Sequence, residues 1–320
     1  MIGAQSDGDL DNLLPLLGVF AFAGQRLMPE LSKSYSAMAQ VQAGRASVEA
    51  VYADLINRSG DKLPESAPTD GLGLAQSLRL EKVSYTYPNA TRRGLHDVSL
   101  TIRAGERIGV VGSTGAGKTT LADLILGLLR PDEGRVLVDD TPIDIQNQRA
   151  WRRSVGYVPQ DIFLIDASVA ENIALGIDTK DIDQDRLLRA ARIARIDRFI
   201  LEELTHGFQT HVGERGVRLS GGQRQRIGIA RAMYHDADLI VFDEATSALD
   251  NLTEQDVMHA IDALPGDMTV LIIAHRLSTV KYCDRILVLH HGVVVGFEAW
   301  DNLMKECSEF RSLADSSVSV

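Results

Sequence analysis

The feature that most limits the possible folds is a glycine-rich segment between an apolar run and a helical pattern. Residues 107–112 read RIGVVG, residues 112–120 read GSTGAGKTT, and residues 121–129 read LADLILGLL. The middle segment fits G-x-x-x-x-G-K-[ST], in which backbone N–H groups at a helix N-terminus surround phosphate oxygens. The sequence therefore predicts a phosphate-binding loop between a strand and a helix.

Each part of this loop has a predicted task. The glycines let the backbone approach phosphate oxygens, the Lys118 ammonium reaches the outer phosphates, and the Thr119 hydroxyl binds Mg²⁺. The predicted nucleotide-binding residues of the loop are Gly112, Ser113, Thr114, Gly115, Ala116, Gly117, Lys118, Thr119 and Thr120. A chance glycine turn would not need to have strand, loop and helix in register.

The rest of the chain predicts an α/β fold. Short apolar runs rich in β-branched residues lie at 239–243, 269–275 and 285–295, with helical segments between them. Such runs indicate a largely parallel sheet covered on both faces. Residues 78–100 alternate apolar and polar residues around Pro88-Asn89, which indicates antiparallel strands, and residues 161–226 look mostly helical, as an insertion into the sheet.

A second chemical signal follows the run LIVF at 239–242. Asp243 ends this predicted strand, where a carboxylate can reach a metal ion at the carboxyl edge of the sheet. Glu244 comes next and can orient or deprotonate an attacking water. The alternative interpretation, a solvated helix cap, is weaker beside a phosphate-binding loop.

The N-terminal segment has two interpretations. Residues 13–24, LLPLLGVFAFAG, are apolar but too few for the about 20 that a bilayer-spanning helix needs. Residues 25–56 are amphipathic at helical spacing, so the segment is either a buried globular helix or the cytoplasmic end of a membrane helix, and the second is favoured. Residues 58–77 are rich in Gly, Pro, Ser and Asp, which is typical of a linker.

Charge and cysteine usage narrow the function classes. The 320-residue chain has a formal net charge of −11, so nucleic acid is not an expected partner. Cys283 and Cys307 have no metal-like or redox-like spacing, which fits a reducing cytosolic setting. His290-His291 before Gly292 indicates a hairpin turn and no metal site.

Four segments together resemble the nucleotide-binding domain of an ABC ATPase: 112–120, LSGGQ at 219–223, LIVFDE at 239–244 and SALD at 247–250. The resemblance covers about residues 78–314. It implies a P-loop NTPase with a RecA-like parallel core sheet, a small antiparallel β subdomain and a helical subdomain, preceded here by a long N-terminal helix. It also implies a dimer with two ATP molecules at its interface.

The resemblance assigns further residues one at a time. Ser220, Gly221, Gly222 and Gln223 form a second anion-binding helix start, N-capped by Ser220, that faces the ATP of the other subunit. Tyr87 resembles the aromatic that stacks on adenine, with Tyr85 as its rival. Gln160 resembles the loop glutamine that contacts Mg²⁺ and the lytic water, His275 the residue that senses the γ-phosphate, and Asp250 the residue that communicates across the dimer.

The branch of the family that fits best is the exporter. Residues 214–216 and 163–176 resemble segments that face the coupling helices of transmembrane domains, and the N-terminus resembles the last membrane helix of half-transporters that flip lipid-linked oligosaccharides. This implies a truncated half-transporter, at the cytoplasmic face of the inner membrane, with the end of a transmembrane domain at 1–57, a linker at 58–77 and the ATPase domain at 78–320. A homodimer and a paired half-transporter both remain open, as do a soluble ABC ATPase and an ATP-binding fragment without transport output.

Overall fold

The computed structural model describes residues 7–59, 72–88, 90–243, 251–274 and 276–318. The chain divides into two compact units, Met1–Pro64 and Glu65–Val320. The helices in chain order are α1 (Asp7–Ser59), α2 (Lys118–Ile125), α3 (Gln148–Arg153), α4 (Val169–Ile173), α5 (Gln184–Ile193), α6 (Gly221–Tyr234), α7 (Asn251–Asp262), α8 (Leu277–Val280), α9 (Trp300–Glu306) and α10 (Ser308–Val318). The strands are β1 (Ser77–Tyr85), β2 (Leu95–Arg103), β3 (Arg107–Val111), β4 (Glu133–Val138), β5 (Thr141–Pro142), β6 (Val155–Val158), β7 (Leu239–Asp243), β8 (Thr269–Ile273), β9 (Arg285–His290) and β10 (Val293–Glu298).

The first unit contains α1, a helix of 53 residues, which confirms the predicted long N-terminal helix. Large apolar side chains lie along it from Leu16 to Ile56, and each of them is more than half exposed. They are therefore not buried in a core of their own unit. Within the part of the chain that the structure describes, no helix combines the length and the apolarity needed to cross a lipid bilayer.

The second unit contains a four-stranded antiparallel sheet with the order β2–β1–β4–β5. Leu80 pairs with Leu100 on β2 and with Val136 on β4. Leu78 and Leu80 are buried while their neighbours Ser77, Arg79 and Glu81 are partly exposed, as expected for a sheet with one solvated face. The alternation at 78–100 correctly predicted β1 and β2, whereas β4 and β5 were not predicted.

The second sheet has six strands in the order β10–β9–β3–β8–β7–β6. Neighbouring strands from β9 to β6 run parallel, and β10 is an antiparallel edge strand. The turn between β9 and β10 has positive φ at His291 (49°) and Gly292 (81°), the backbone that a tight hairpin needs. The largely parallel sheet and this hairpin turn agree with the sequence prediction.

The two faces of the parallel sheet contribute to separate apolar cores. On β7, Leu239 and Val241 pack in a cluster with Leu121 and Leu124 of α2. The alternate residues Ile240 and Phe242 pack in a different cluster with side chains of α6. Burying each such side chain fully contributes about 1.5–3 kcal/mol. Because neighbouring residues of a strand point to opposite faces, these two clusters place α2 and α6 on opposite faces of the sheet.

The region predicted to be mostly helical, 161–226, is more irregular than expected. It contains α4, α5, 3-10 turns at Thr179–Asp181, Gly207–Gln209 and Glu214–Gly216, and a π-helical turn at Phe199–Glu203. The last helix of the region, α6, continues beyond residue 226 to Tyr234, because its apolar residues remain buried along that length. The prediction of helical character was correct in kind.

Candidate functional site

The glycine-rich loop has the conformation that the motif predicts. The loop 112–117 follows β3, and Gly117 is the N-cap of α2 with a φ of 104°. A Cβ at Gly117 would lie 2.6 Å from the carbonyl oxygen of Gly94, closer than real Cβ atoms approach a backbone atom. Both the left-handed backbone and the close approach therefore require glycine at this position.

Lys118 curls over the loop that precedes it. Its Nζ donates hydrogen bonds to the carbonyl oxygens of Gly112 (2.8 Å) and Ser113 (3.3 Å), and the residue is only 6% exposed. Within the described part of the chain, no side chain caps the first turn of α2, and that turn contains no acidic residue. The positive helix end and the lysine charge therefore act together on a group bound in the loop.

Two tyrosines lie near the loop, and only one can meet a ligand with its ring. Tyr87 is 40% exposed, and its phenol oxygen lies 3.2 Å from the Thr120 hydroxyl oxygen. Tyr85 is 9% exposed and packs edge-on against Tyr87, with ring centroids 5.0 Å apart. Thr120, whose hydroxyl lies beside the Tyr87 phenol, is buried, whereas Thr119 is exposed. The geometry favours Tyr87 over its rival as a stacking residue.

Asp243 leaves the sheet at the same edge as the loop. It pairs with Ile273 at the end of β8, and Ile273 in turn pairs with Val110 near the end of β3. Because these three strands are parallel, their carboxyl ends meet at one edge, where ligands bind in open α/β sheets. The structure thus brings the predicted metal ligand and the predicted phosphate loop together.

Two further polar side chains lie at this edge, and the sequence analysis missed both. The Tyr157 phenol donates to Oδ2 of Asp243 at 3.1 Å. Burial, and then the neighbouring Asp243 charge, raise the pKa of Tyr157 and also the pKa of Asp123 on α2. The signal for Tyr157 was its place in β6 three residues before Gln160, but β6 itself was not predicted.

Gln160 follows β6 and is exposed. Its carbonyl oxygen accepts a hydrogen bond from Nε2 of Gln225, a buried residue of α6, at 2.5 Å. This bond attaches the segment after β6 to α6, which starts with the LSGGQ residues. A hydrogen bond therefore links Gln160, the predicted water-contacting residue, to the helix that begins with the second glycine-rich segment.

The helix start at Ser220 is capped as predicted. The Gln223 N–H donates to Ser220 Oγ (3.2 Å), and Gln223 Oε1 accepts from the Ser220 N–H (2.8 Å), which forms a capping box. Ser220 is exposed at the end of a 14-residue helix, and Gly221 and Gly222 follow it. In this conformation the Gln223 side chain is engaged in the cap. The helix start is an accessible, electrically positive site.

Three predicted residues, Glu244, Asp250 and His275, lie outside the residues that the structure describes. Glu244 and Asp250 belong to the segment that follows β7, and His275 follows β8 and Ala274. Their assignments stay predictions.

The profile of the ABC transporter family matches residues 95–247, a range that includes the phosphate loop, the LSGGQ segment and β7. The chain carries an ABC transporter ATP-binding domain. The P-loop α/β fold described above is the fold of that domain, and ATP is the nucleotide that it binds.

The relatives of this chain include named export proteins. It is 40% identical over 301 residues to the beta-(1→2)glucan export ATP-binding/permease protein NdvA of Agrobacterium vitis, covering 93% of this chain and 51% of that protein. It is 40% identical over 278 residues to the ATP-dependent lipid A-core flippase of Chromobacterium violaceum, covering 86% of this chain and 46% of that protein. The chain spans about half the length of the curated relatives it matches.

A solved structure of a bacterial Atm1-family ABC exporter with ATP bound has the same fold. The TM-score is 0.71 at 36% sequence identity, and the match covers 80% of this chain and 44% of that chain.

Proposed function

We propose that this chain is the ATP-hydrolysing motor of an exporter or flippase. The observation that carries the proposal is the meeting of the phosphate loop and Asp243 at one edge of the parallel sheet. Similarity to proteins named for glucan export and lipid A-core flipping supports transport as the output. A soluble ABC ATPase acting on nucleic acid is not favoured, because these relatives are membrane exporters and the chain has a net charge of −11.

In the proposed binding mode, the backbone of the loop 112–117 and Lys118 hold the phosphates, and the Tyr87 ring stacks on adenine. The buried Lys118 beside the largely exposed loop supports the first part, since a desolvated ammonium interacts strongly with phosphate. The exposed face of Tyr87 beside Thr120 supports the second.

The residues proposed to bind Mg²⁺ fit a hard cation, because each offers an oxygen ligand. These are the Thr119 hydroxyl, the Gln160 side-chain amide and the Asp243 carboxylate. Thr119 and Gln160 are exposed and Asp243 is partly exposed, so a ligand from solvent can reach these residues. Bound Mg²⁺ would neutralise charge on the phosphate oxygens.

Hydrolysis needs a water held in line with the γ-phosphorus. We assign Glu244 to hold this water and to accept its proton while the water oxygen bonds to the γ-phosphorus and the bond to the bridging oxygen of ADP breaks. Lys118 stabilises the charge that develops on the phosphate oxygens. Gln160 contacts the water, and His275 contacts the γ-phosphate.

The second helix start is proposed to serve the ATP of a partner domain. Since α2 and α6 cover opposite faces of the sheet, the Ser220 end of α6 is separated by the sheet from the helix that follows the phosphate loop. In a dimer, residues 220–223 would complete the partner's site, and Asp250 would contact it across the interface.

The mechanical output is proposed to pass to transmembrane domains. Phe163 and Val217 are 63% and 78% exposed, and they lie in or beside the segments 163–176 and 214–216 that resemble coupling regions. Exposed large apolar side chains suit a docking surface. We place the ATPase domain, residues 78–320, at the cytoplasmic face of the inner membrane. Residues 1–57 are proposed to be the end of a transmembrane domain and residues 58–77 a linker. The proposed cargo is a lipid-linked oligosaccharide or another lipid.

Two variants of the full chain test the motor. Lys118→Ala should lose most nucleotide affinity, and Glu244→Gln should keep affinity while phosphate release falls by roughly 10²–10⁴-fold, the usual contribution of a general base. Lys281→Ala, which removes an exposed lysine, is the matched control. Normal phosphate release by Glu244→Gln would contradict the role of Glu244. Recovery of the wild-type chain only in the soluble fraction of a cell lysate would contradict the membrane location.

A further inference from the structure

Tyr157 receives no role from the sequence, yet its phenol lies 3.1 Å from Oδ2 of Asp243. We propose that Tyr157 is a positioning residue that orients the Asp243 carboxylate for Mg²⁺. The inference rests on the proposed ATP site and adds a residue that acts through a metal ligand. Donors in the second layer around a metal commonly fix the direction of the ligand that they bind.

Strand register explains why Tyr157 reaches this carboxylate. Tyr157 on β6 pairs with Val241 on β7, and Asp243 lies two residues further along. Side chains at i and i+2 of a strand share a face, so Tyr157, Val241 and Asp243 lie on the same side of the sheet. The phenol therefore approaches Asp243 from the neighbouring strand.

The position of β6 makes such a contact useful. Among the described strands it is an edge strand of this sheet and pairs with β7, and the pairing ends at Val158. Gln160, another proposed Mg²⁺ ligand, follows two residues later. The bond from Tyr157 to Asp243 is a side-chain connection between the two strands that present these ligands.

A like charge nearby gives the donor a second use. Asp123 of α2 is partly buried, and its interaction with Asp243 is unfavourable when both carboxylates are ionised. Repulsion would turn the Asp243 carboxylate away from α2. The hydrogen bond from Tyr157 to Oδ2 limits such a rotation of the carboxylate.

The test uses the full chain and a non-hydrolysable ATP analogue, titrated by calorimetry in EDTA and at increasing Mg²⁺ concentrations. Tyr157→Phe keeps the ring and removes the hydroxyl. We expect unchanged affinity in EDTA and roughly a tenfold or greater rise in the Mg²⁺ concentration that half-saturates the enhancement of binding. Tyr282→Phe removes a phenol that is 84% exposed, and it should match the wild type.

A double-variant cycle shows whether Tyr157 acts through Asp243. In the Asp243→Ala background, Tyr157→Phe should change analogue affinity no further, because its acceptor is gone. An unchanged Mg²⁺ requirement in Tyr157→Phe, an equal loss of affinity in EDTA, or an added loss beside Asp243→Ala would each overturn the inference. If Mg²⁺ fails to enhance binding even in the wild type, the proposed metal site is wrong as well, which separates the two failures.

Discussion

The phenol oxygen of Tyr87 lies 3.2 Å from the hydroxyl oxygen of Thr120, which joins an exposed aromatic ring to the helix that begins at the phosphate loop. Tyr85 supports this ring from one edge and is itself buried. These two contacts limit the orientations that the ring can take beside the loop.

From this arrangement we expect Tyr87→Ala to weaken ATP binding by about 0.5–1.5 kcal/mol, the value of an aromatic stacking contact beyond burial. Tyr87→Phe keeps the stacking face and loses only the contact with Thr120, so its effect should be smaller. Tyr85→Ala should lower thermal stability instead, because it removes a buried ring. The nucleotide affinity of the three variants is compared by calorimetry. A larger loss of affinity in Tyr85→Ala than in Tyr87→Ala would show that Tyr85, and not Tyr87, contacts adenine.

Gly117→Ala should damage both the fold and the nucleotide site. The new methyl group would meet the Gly94 carbonyl oxygen at 2.6 Å, and the φ of 104° is strained for any other residue, at a cost of about 1–3 kcal/mol. Gly266→Ala is the control, because a Cβ there meets no atom of the described residues within 4 Å. Chemical denaturation and nucleotide titration are the measurements. Equal behaviour of the two variants would show that the loop relaxes freely.

Ser220→Arg should abolish ATP-dependent dimerisation while ATP affinity of the dilute monomer stays normal. The bulky cation removes the N-cap acceptor, opposes the positive end of α6 and fills the exposed space before the helix. Sedimentation with and without ATP, in a Glu244→Gln background that preserves the nucleotide, measures dimerisation. Parallel loss of monomer affinity would mean that residues 220–223 serve the ATP of their own chain.

Glu106→Gln should destabilise the fold in a manner that depends on pH. Burial raises the pKa of Glu106. Two hydrogen bonds from Arg285 (2.6 and 2.7 Å), a hydrogen bond from the Arg103 N–H and the charges of these arginines lower the pKa by more than burial raises it. The net pKa of Glu106 is therefore below its usual value. A lowered folded pKa stabilises the protein above the unfolded pKa of about 4.3 and loses that contribution as pH falls through the folded value.

We therefore expect Glu106→Gln to lower the free energy of unfolding by about 1.5–3 kcal/mol at neutral pH, as for a hydrogen bond to a charged group. The difference from the wild type should shrink as the pH falls below about 4. Glu298→Gln, at an exposed position of β10, should have little effect at any pH. A constant difference across this range would show that the loss does not come from the ionised Glu106.

The sequence predicted those parts of the fold and site whose residues have a local backbone requirement. Gly117 needs a left-handed backbone, Ser220 caps a helix, and His291-Gly292 forms a tight turn, and each of these is visible in a few consecutive letters. The run LIVF at 239–242 is apolar throughout because both faces of β7 are covered there.

The parts that could not be predicted depend on pairing between distant segments. β6 is only four residues long and contains Gly156, so its pattern has no clear period, and it becomes a strand because β7 pairs with it. The contact between Tyr157 and Asp243 joins residues 86 positions apart and requires the register of that pairing. Likewise, only the structure shows that Tyr85 is buried and Tyr87 exposed.

The placement of α2 and α6 on opposite faces of the sheet has a consequence for mixtures of damaged chains. A chain with Lys118→Ala keeps an intact Ser220 helix start, and a chain with Ser220→Arg keeps an intact phosphate loop. Each variant alone would be inactive if catalysis needs both parts from different molecules. Mixed together, the two would form hybrid pairs in which one composite site is whole, so that phosphate release returns on mixing although neither chain has been repaired.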